Sequence, residues 1–408
     1  MFKGLFDFKN QKLHFNMTII IPVIGFIILG LIVLSSTSDL DNISSTFYKQ
    51  MFWIFLGLIF FVIMQYVRVQ FLYDYSYIFY ILLILLIFST IFAPIIGGAK
   101  SWFVFGNMNF QPSEFGKILY VLCMSRFFID NRNNKNISSY LIFILILLFI
   151  PILLILKQPD LGTSMVYISI ILPMLFWSGL KAKNIFLLIA PIITIIATYD
   201  IVFFYFWMAI FLIILVISRN KIYVSIINFI INVLCGILSP YIWFELLKPH
   251  QRSRIETFLD PLSDPLGSGY QLIQSIISIG SGGFWGKGWG EGTQTHLKFL
   301  PVRDTDFVIS VMSEELGFIS IFALIIMLSI FIYWCLVYSC KIDNKYASIV
   351  LIGFSTVLFM HMIINMSVIS GLLPVTGLPA PFISYGGSFL LTCSIMLGLI
   401  NNIVNNYI

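Results

Sequence analysis

The chain has 408 residues and a formal net charge of +5, but its composition sets it apart from soluble proteins. Hydrophobic residues make up 59% of it and charged residues only 10%, whereas soluble domains contain about 25% charged residues. So few charges cannot cover a folded surface, and they must collect in loops between long apolar runs. A nucleic-acid partner is not expected, because no basic stripe with interleaved aromatic residues occurs.

Twelve apolar runs approach the length of about 20 residues that a membrane helix needs. In chain order they cover 17–37, 51–68, 75–96, 112–129, 139–157, 160–180, 184–199, 201–218, 222–245, 306–339, 347–370 and 384–405. The two short runs within 184–218 also fit an extra helix pair that does not span the membrane completely. The fold class predicted for 1–408 is therefore all-α, a single polytopic membrane helix bundle with about 10–12 transmembrane helices.

The distribution of Lys and Arg over the short loops predicts the orientation of the helices. With the N-terminus in the cytoplasm, most of these residues fall in cytoplasmic loops, and the short outer loops receive only Lys49, Lys100 and, near a helix end, Lys157. An even number of crossings returns the chain to its starting side. Both termini are therefore expected in the cytoplasm.

The segment 246–305 is an unusually long loop, and this topology places it on the outer side of the membrane. It holds many of the charges of the chain and a glycine-rich run at 280–292. Within it, 271–279 has the pattern of a short amphipathic helix that lies at the membrane interface. Long loops of this kind are usually functional, so this segment is the expected catalytic region.

Two polar segments interrupt the apolar runs. Glu114 and Lys117 stand three residues apart after a Pro-Ser helix start, so they share one helix face and can form an ion pair. They fit either a structural pair or a polar cavity that binds a substrate head group. The segment 157–162 (KQPDLG), which contains Lys157 and Asp160, fits either an ordinary turn or a polar wall of the same cavity.

The long loop contains two Asp-Pro steps, at Asp260 and Asp264, close to Arg252 and Arg254. Asp before Pro is common in turns, and this pattern alone does not indicate catalysis. The location is more informative, because carboxylates beside two arginines at a membrane surface are unusual in a chain with so few charges. Arginine also binds phosphate oxygens in a bidentate manner, although the two side chains equally fit anchors at a helix end.

At this point the sequence resembles the SEDS family of bacterial cell-wall polymerases (shape, elongation, division and sporulation). The matching segments cover most of the chain in order: 111–117 (QPSEFGK), 157–162 (KQPDLG), 264–271 (DPLGSGYQ), 305–307 (TDF), 314–317 (EELG), Asn365, 373–379 (LPVTGLP) and 381–388 (PFISYGGS). The stretch 292–294 and Asp260 are more similar to the elongation branch, RodA, than to the division branch, FtsW.

The resemblance implies a peptidoglycan glycosyltransferase of the bacterial cytoplasmic (inner) membrane. It implies lipid II as the substrate, and a class B penicillin-binding protein (a transpeptidase) and other elongation-complex membrane proteins as partners. The essential Asp of the family falls on Asp264, for which we expect the role of general base in an inverting transfer. Glu114, Lys117, Lys157, Asp160, Arg252, Arg254 and Ser384 are the predicted substrate-binding residues.

No all-protein metal site is visible in the sequence, and the only cofactor expected is Mg²⁺ or Mn²⁺ bound together with the substrate diphosphate. The segment 384–388 (SYGGS) is predicted to open the last helix, and its exposed backbone N–H groups fit either an anion contact or a simple helix start.

The sequence departs from the family pattern in three places. Ser101 precedes Trp102 where the family commonly has Arg, and Asp304 replaces the usual His before the TDF segment. The extra helix pair in 184–218 is the third difference, and it leaves the active loop on the outer side. Two other functions also fit part of the sequence: a lipid II flippase or transporter, which would use the ion pair at 114–117, and a non-catalytic scaffold.

Overall fold

The computed structural model describes residues 5–6, 14–38, 42, 45–94, 100–106, 108–131, 137–198, 200–218, 222–241, 245, 252, 256–265, 267, 269–297, 299–300 and 302–408. This part of the chain is almost entirely helical. Its only strands form a two-stranded antiparallel hairpin, β1 (Phe103–Phe105) with β2 (Met108–Phe110).

All twelve predicted helices are present within these residues. They are α1 (Met17–Thr37), α2 (Thr46–Met64), α3 (Val69–Ser89), α4 (Pro112–Asp130), α5 (Ile137–Lys157), α6 (Leu161–Trp177), α7 (Ala182–Ala197), α8 (Ile201–Ile217), α9 (Ile222–Tyr241), α12 (Val308–Lys341), α13 (Lys345–Ile369) and α14 (Gly387–Tyr407). The long loop adds two short helices, α10 (Tyr270–Gly282) and α11 (Thr293–His296). The amphipathic helix predicted at 271–279 is confirmed as α10.

The predicted beginnings differ most from the structure for two helices. The structure begins α2 at Thr46 rather than 51 and α3 at Val69 rather than 75. The first turns of both contain polar residues, such as Lys49 and Gln70, which lower the local hydropathy. A helix only needs its backbone hydrogen bonds, so it extends beyond the apolar run that reveals it.

Seven of the described helices are long and apolar enough to cross a membrane: α1, α2, α3 with the turn after it, α9, α12, α13 and α14. The helices α7 and α8 have 16 and 17 residues. At 1.5 Å per residue each is roughly 25 Å long, shorter than the bilayer core of about 30 Å. Whether 184–218 makes two full crossings therefore stays a prediction.

The centre of the bundle is α13, which packs against α4, α6, α12 and α14. By contrast, α8 and α9 expose most of their apolar side chains. They join α7 in a peripheral group with its own small core of Leu187, Ala190, Phe211 and Leu215. The hydroxyl of Thr194 donates to Asn232 Oδ1 over 2.5 Å and links α7 to α9. Interhelical polar contacts of this kind hold helices together where water is absent.

The two ends of the bundle are distinguished by their hydrogen bonds. At one end, which we call the terminal end, the N–H of Asn16 donates to Asn401 Oδ1 and the amide of Asn401 donates to Gln65. The beginning of α1 and the end of α14 therefore lie together. The opposite end, the loop end, joins α2 to the segment before α12 through Thr46 and Asp304. The turn before α14 also lies at this end, since the Ser384 hydroxyl donates to the Thr305 carbonyl.

Candidate active site

The Asp264 carboxylate lies in a compact turn that directly precedes α10. A short 3₁₀ helix spans Pro261–Ser263, and Asp260 caps it by accepting a hydrogen bond from the Leu262 N–H. Asp264 follows, and its Oδ1 accepts a hydrogen bond from the Gly267 N–H over 3.0 Å. The Asp264 side chain is exposed, so a carboxylate is held in a defined direction at the surface of the protein.

Glycine is required at two positions of this turn. A Cβ on Gly267 would collide with the Asp264 carboxylate, and one on Gly269 would collide with the Pro261 carbonyl. The Gly269 N–H also donates to the Asp264 carbonyl over 3.0 Å. The spacing in the DPLGSG segment therefore has a physical cause, because only glycine allows the backbone to close so tightly around the carboxylate.

The helix α10 anchors this turn at the loop end of the bundle. The Ser275 hydroxyl bonds the Ser310 hydroxyl of α12 over 2.7 Å and the Ile369 carbonyl at the end of α13 over 2.8 Å. The Ser278 hydroxyl donates to the Ser310 carbonyl. Because two long helices hold α10 in place, the Asp264 turn at the beginning of α10 has a fixed position.

The glycine-rich run packs against a break in α12. Gly317 has a left-handed φ of 74° that interrupts the helix and leaves backbone groups without their helical partners. The run supplies them: the Lys287 N–H donates to the Glu314 carbonyl, and the Phe318 N–H donates to the Gly283 carbonyl. A Cβ on Gly286 would collide with the carbonyl of Glu315. The glycines therefore allow backbone to approach backbone at this break.

Glu314 is a connecting residue that the sequence analysis did not single out. Its Oε1 forms an ion pair with Lys287 Nζ over 2.7 Å and accepts a hydrogen bond from the Gln294 N–H over 3.0 Å. Its Oε2 accepts from the hydroxyls of Thr295 and Ser278. One buried carboxylate thus ties α10, α11 and the glycine-rich run to α12. The EELG segment that contains it was a usable signal, because a carboxylate in a membrane helix needs partners.

The ion pair predicted between Glu114 and Lys117 is confirmed, and it has a third member. Lys117 Nζ lies 2.7 Å from Glu114 Oε1 and 2.6 Å from His361 Nε2 on α13. All three side chains are buried. Because an ammonium group only donates, His361 Nε2 must be the acceptor and the neutral ring carries its proton on Nδ1. The sequence analysis missed His361, although a histidine inside a membrane helix is itself a signal.

Asp160 lies close to the beginning of the helix that carries this cluster. It caps α6 by accepting hydrogen bonds from the N–H and the hydroxyl of Thr163. The Gln111 side chain, at the start of α4, donates to Asp160 Oδ2 over 2.7 Å. Lys157 differs from Asp160, because it is exposed at the end of α5 and is not part of this hydrogen-bond group. The structure therefore brings Asp160 into the polar interior and leaves Lys157 on the surface.

Ser384 is buried and its hydroxyl is fully engaged. The hydroxyl accepts from the Ala380 N–H over 2.8 Å and donates to the Thr305 carbonyl over 2.6 Å. The segment 384–388 does open the last helix, but α14 itself begins at Gly387, three residues after Ser384. The residues before α14 form a separate turn that is tied to Thr305 and Gln50. This geometry favours a structural role for the side chain, and the predicted substrate contact remains untested.

Only one member of the predicted arginine pair lies within the described residues. Arg252 is half-buried, and Arg254 lies outside the described residues. No group of three His, Cys, Asp or Glu side chains that fits a metal ion occurs in the part of the chain that the structure describes. The roles of Arg252, Arg254 and a divalent ion stay predictions.

The membrane-length apolar helices define a multi-pass membrane protein, and a turn at one end of its bundle holds the Asp264 carboxylate. The family model described as "Cell cycle protein" (FTSW_RODA_SPOVE) matches residues 11–207 and 191–407. The chain therefore belongs to this family.

Similar proteins point to the same class. The peptidoglycan glycosyltransferase MrdB of Escherichia coli (strain K12) is 32% identical over 401 residues, which cover 96% of this chain and 94% of MrdB. The peptidoglycan glycosyltransferase RodA of Treponema pallidum is 30% identical, with 95% and 97% covered.

Two solved structures share the fold. A peptidoglycan synthase complex, described as coordinating polymerization and crosslinking, contains a chain that matches with a TM-score of 0.73 and 26% identity over 97% of this chain and 99% of its own. The rod shape determining protein RodA of Thermus thermophilus matches with a TM-score of 0.64 and 22% identity over 97% of this chain and 98% of its own. The predictions of the family, an all-helical membrane fold and a glycosyltransferase are confirmed, and the comparisons do not favour the flippase alternative.

Proposed function

We propose that this protein polymerises lipid II into peptidoglycan strands at the outer face of the bacterial cytoplasmic membrane. The observation that carries the proposal is the exposed Asp264 carboxylate, which a glycine turn holds at the loop end of the bundle. In this arrangement the loop end faces outward and both termini, at the opposite end, lie in the cytoplasm. The excess of Lys and Arg in the predicted cytoplasmic loops supports this orientation.

Asp264 acts as the general base in the proposed reaction. Its carboxylate takes the proton from the 4-hydroxyl of the acceptor sugar while that oxygen attacks C1 of the donor sugar. The bond between C1 and the diphosphate oxygen breaks, the diphosphate leaves with the electron pair, and the configuration at C1 inverts. Diphosphate is a good leaving group, so a second carboxylate acting as the acid is not needed, unlike in most glycoside hydrolases.

The charge of the leaving diphosphate needs positive partners. Arg252 and Arg254 precede the Asp264 turn by about ten residues, and a guanidinium group matches phosphate oxygens well. A Mg²⁺ or Mn²⁺ ion held by the diphosphate itself would supply further neutralisation. Together these cations would stabilise the charge that develops as the bond breaks.

The buried polar groups of α4 and α6 have a supporting place in this proposal. Glu114 and Lys117 on α4 and Asp160 before α6 lie near the loop end, where these two helices begin, and His361 joins them from α13. Burying charges inside a membrane protein is costly, and such groups often mark a substrate path. We assign them to the region that receives the lipid-linked head group, with Lys157 at its exposed edge.

A class B penicillin-binding protein is the partner that we propose. The similar structure described as a peptidoglycan synthase complex combines polymerization with crosslinking. Crosslinking requires a transpeptidase, and class B penicillin-binding proteins supply that reaction. The similarity to MrdB and RodA supports a role in cell elongation, together with other membrane proteins of that machinery.

The decisive experiment gives lipid II to the purified protein and its partner transpeptidase in membrane nanodiscs. Wild type is expected to form glycan strands and Asp264→Ala is expected to form none. Asp260→Asn is the matched control, because Asn keeps the cap on Leu262 in the same turn. The proposal is wrong if wild type makes no glycan, or if Asp264→Ala makes as much as wild type. Translocation of lipid II without polymerisation would instead identify a flippase.

A further inference from the structure

A polar cavity at the loop end has no role in the chemistry described so far. Its volume is about 470 Å³, within the range of roughly 300–1,000 Å³ that is usual for small-molecule sites. Its lining consists of Thr46, Leu300, Val302, Arg303, Asp304, Thr305 and Tyr385. These residues come from the start of α2, from the segment before α12 and from the turn before α14, so three separate parts of the chain build one wall.

The charges of the lining indicate a neutral ligand. Arg303 is already committed, since its guanidinium donates to the Thr37 carbonyl over 2.9 Å and to the Thr295 carbonyl. Two of its five N–H donors are thus used within the protein, and the Asp304 carboxylate 3.9 Å from its Nε would repel a phosphate. A cation is equally disfavoured, because the Arg303 charge balances that of Asp304, the only carboxylate among the described lining residues.

One carboxylate oxygen of Asp304 is a hydrogen-bond acceptor without a donor among the described residues. The Thr46 hydroxyl donates to Asp304 Oδ2 over 3.1 Å, and the Ser38 hydroxyl in turn lies 2.6 Å from Thr46. The other oxygen, Oδ1, is buried without a hydrogen-bond partner among the described residues, and Arg303 Nε is 3.9 Å away. A carboxylate oxygen in this state is satisfied best by a hydroxyl or amide donor from a ligand.

Tyr385 supplies the complementary features of a sugar site. Its backbone N–H donates to the Asp304 carbonyl over 2.9 Å, which keeps the two residues together. Burial raises the pKa of the Tyr385 phenol, so the group stays protonated at neutral pH and can donate a hydrogen bond. Its ring also offers an apolar face against which a pyranose can pack.

We propose that this cavity binds a neutral sugar unit of the glycan, with Asp304 as the residue that selects hydroxyl and acetamido donors. The proposal rests on the proposed function, because that function supplies the saccharide. The position is suitable: the segment that carries Asp304 continues into α12, whose Ser310 holds α10 and thereby the Asp264 turn. A sugar bound here would keep the strand close to the reacting end.

The test separates saccharide binding from catalysis. A soluble, uncharged tetrasaccharide of N-acetylglucosamine is titrated into the nanodisc-embedded Asp264→Asn protein, and binding is followed by saturation-transfer NMR. Adding Asp304→Asn, which keeps an acceptor for Thr46 but removes the second acceptor oxygen, is expected to weaken binding about tenfold or more. Glu291→Gln, an exposed carboxylate of the same loop outside the cavity, is expected to leave binding unchanged.

A second measurement uses the otherwise native protein and lipid II. Asp304→Asn and Tyr385→Phe are expected to raise KM by about tenfold with kcat nearly unchanged. Each substitution removes a contact that binds the ground state and the transition state equally, and neither removes a reacting group. Equal tetrasaccharide affinity with and without Asp304→Asn would overturn the proposal, and so would competition by inorganic diphosphate. If the tetrasaccharide binds through Asp304 but wild type forms no glycan, the sugar site stands and the proposed polymerase function fails.

Discussion

Two regions of the molecule hold carboxylates under opposite conditions. Glu114 is buried in the bundle, where Lys117 and His361 surround it, whereas Asp264 is exposed in a turn built by glycines. A buried charge is tolerated only when it is paired, so the stability of the packed helices α4 and α13 depends on the pairing of Glu114. An exposed carboxylate keeps contact with water, so its charge costs little free energy and it can be reached by a substrate. Removing each group should therefore affect different measurable properties.

The largest effect is expected at Asp264. Replacing it with Asn removes the base but keeps the acceptor that the Gly267 N–H uses, so the turn should persist. Polymerisation of lipid II should fall by about 10²–10⁴-fold, the usual contribution of a general base. The melting temperature should remain that of wild type. A large loss of stability would break the comparison, because it would make Asp264 a structural group.

The second effect concerns stability. Lys117→Met leaves the Glu114 carboxylate buried without its ammonium partner, which should cost about 3–5 kcal/mol of unfolding free energy. Denaturant titration in detergent micelles measures this change. The double variant Glu114→Gln with Lys117→Met should recover much of the loss, because no uncompensated charge remains. A double variant no more stable than Lys117→Met alone would contradict the assignment of Glu114 and Lys117 as a mutually neutralising pair.

Glu314 lies between the two regions and should show an intermediate effect. Glu314→Gln loses the charge that binds Lys287, a hydrogen bond worth about 1.5–3 kcal/mol. We expect faster hydrogen exchange in 283–297 and reduced polymerisation, since this carboxylate holds the loop against α12. Exchange in α4 and α13 serves as the internal control and should not change. If the amides of 283–297 exchange equally slowly in wild type and in Glu314→Gln, Glu314 does not have the connecting role assigned to it.

The smallest effect is expected at Ser384. Ser384→Ala should cost about 1 kcal/mol for each of its two hydrogen bonds and should leave the KM for lipid II unchanged. The measurements are thermal unfolding and steady-state kinetics on the same preparation. A raised KM at unchanged stability would restore Ser384 as a substrate contact and would weaken the structural role that its hydrogen bonds suggest.

The sequence analysis predicted contacts between residues that are close along the chain better than contacts between residues that are far apart. The pairing of Glu114 with Lys117 follows from three residues of spacing on one helix, and it is present. His361 completes the same cluster from 244 positions further along the chain, and no local pattern places it there. The DPLGSG turn was recognised as a segment, but the need for Gly267 and Gly269 became apparent only from the atoms that a Cβ would meet.

The sequence by itself determined the class of protein, because long apolar runs with few charges are stable only in a membrane and because helix spacing is a local property. It also located the Asp264 segment by resemblance. Only the tertiary structure decided that Glu314 holds the glycine-rich loop, that the Ser384 hydroxyl is already hydrogen-bonded, and that Asp304, Thr46 and Tyr385 share one cavity. These relations depend on how distant helices pack, and packing brings together residues whose separation along the chain carries no periodic signal.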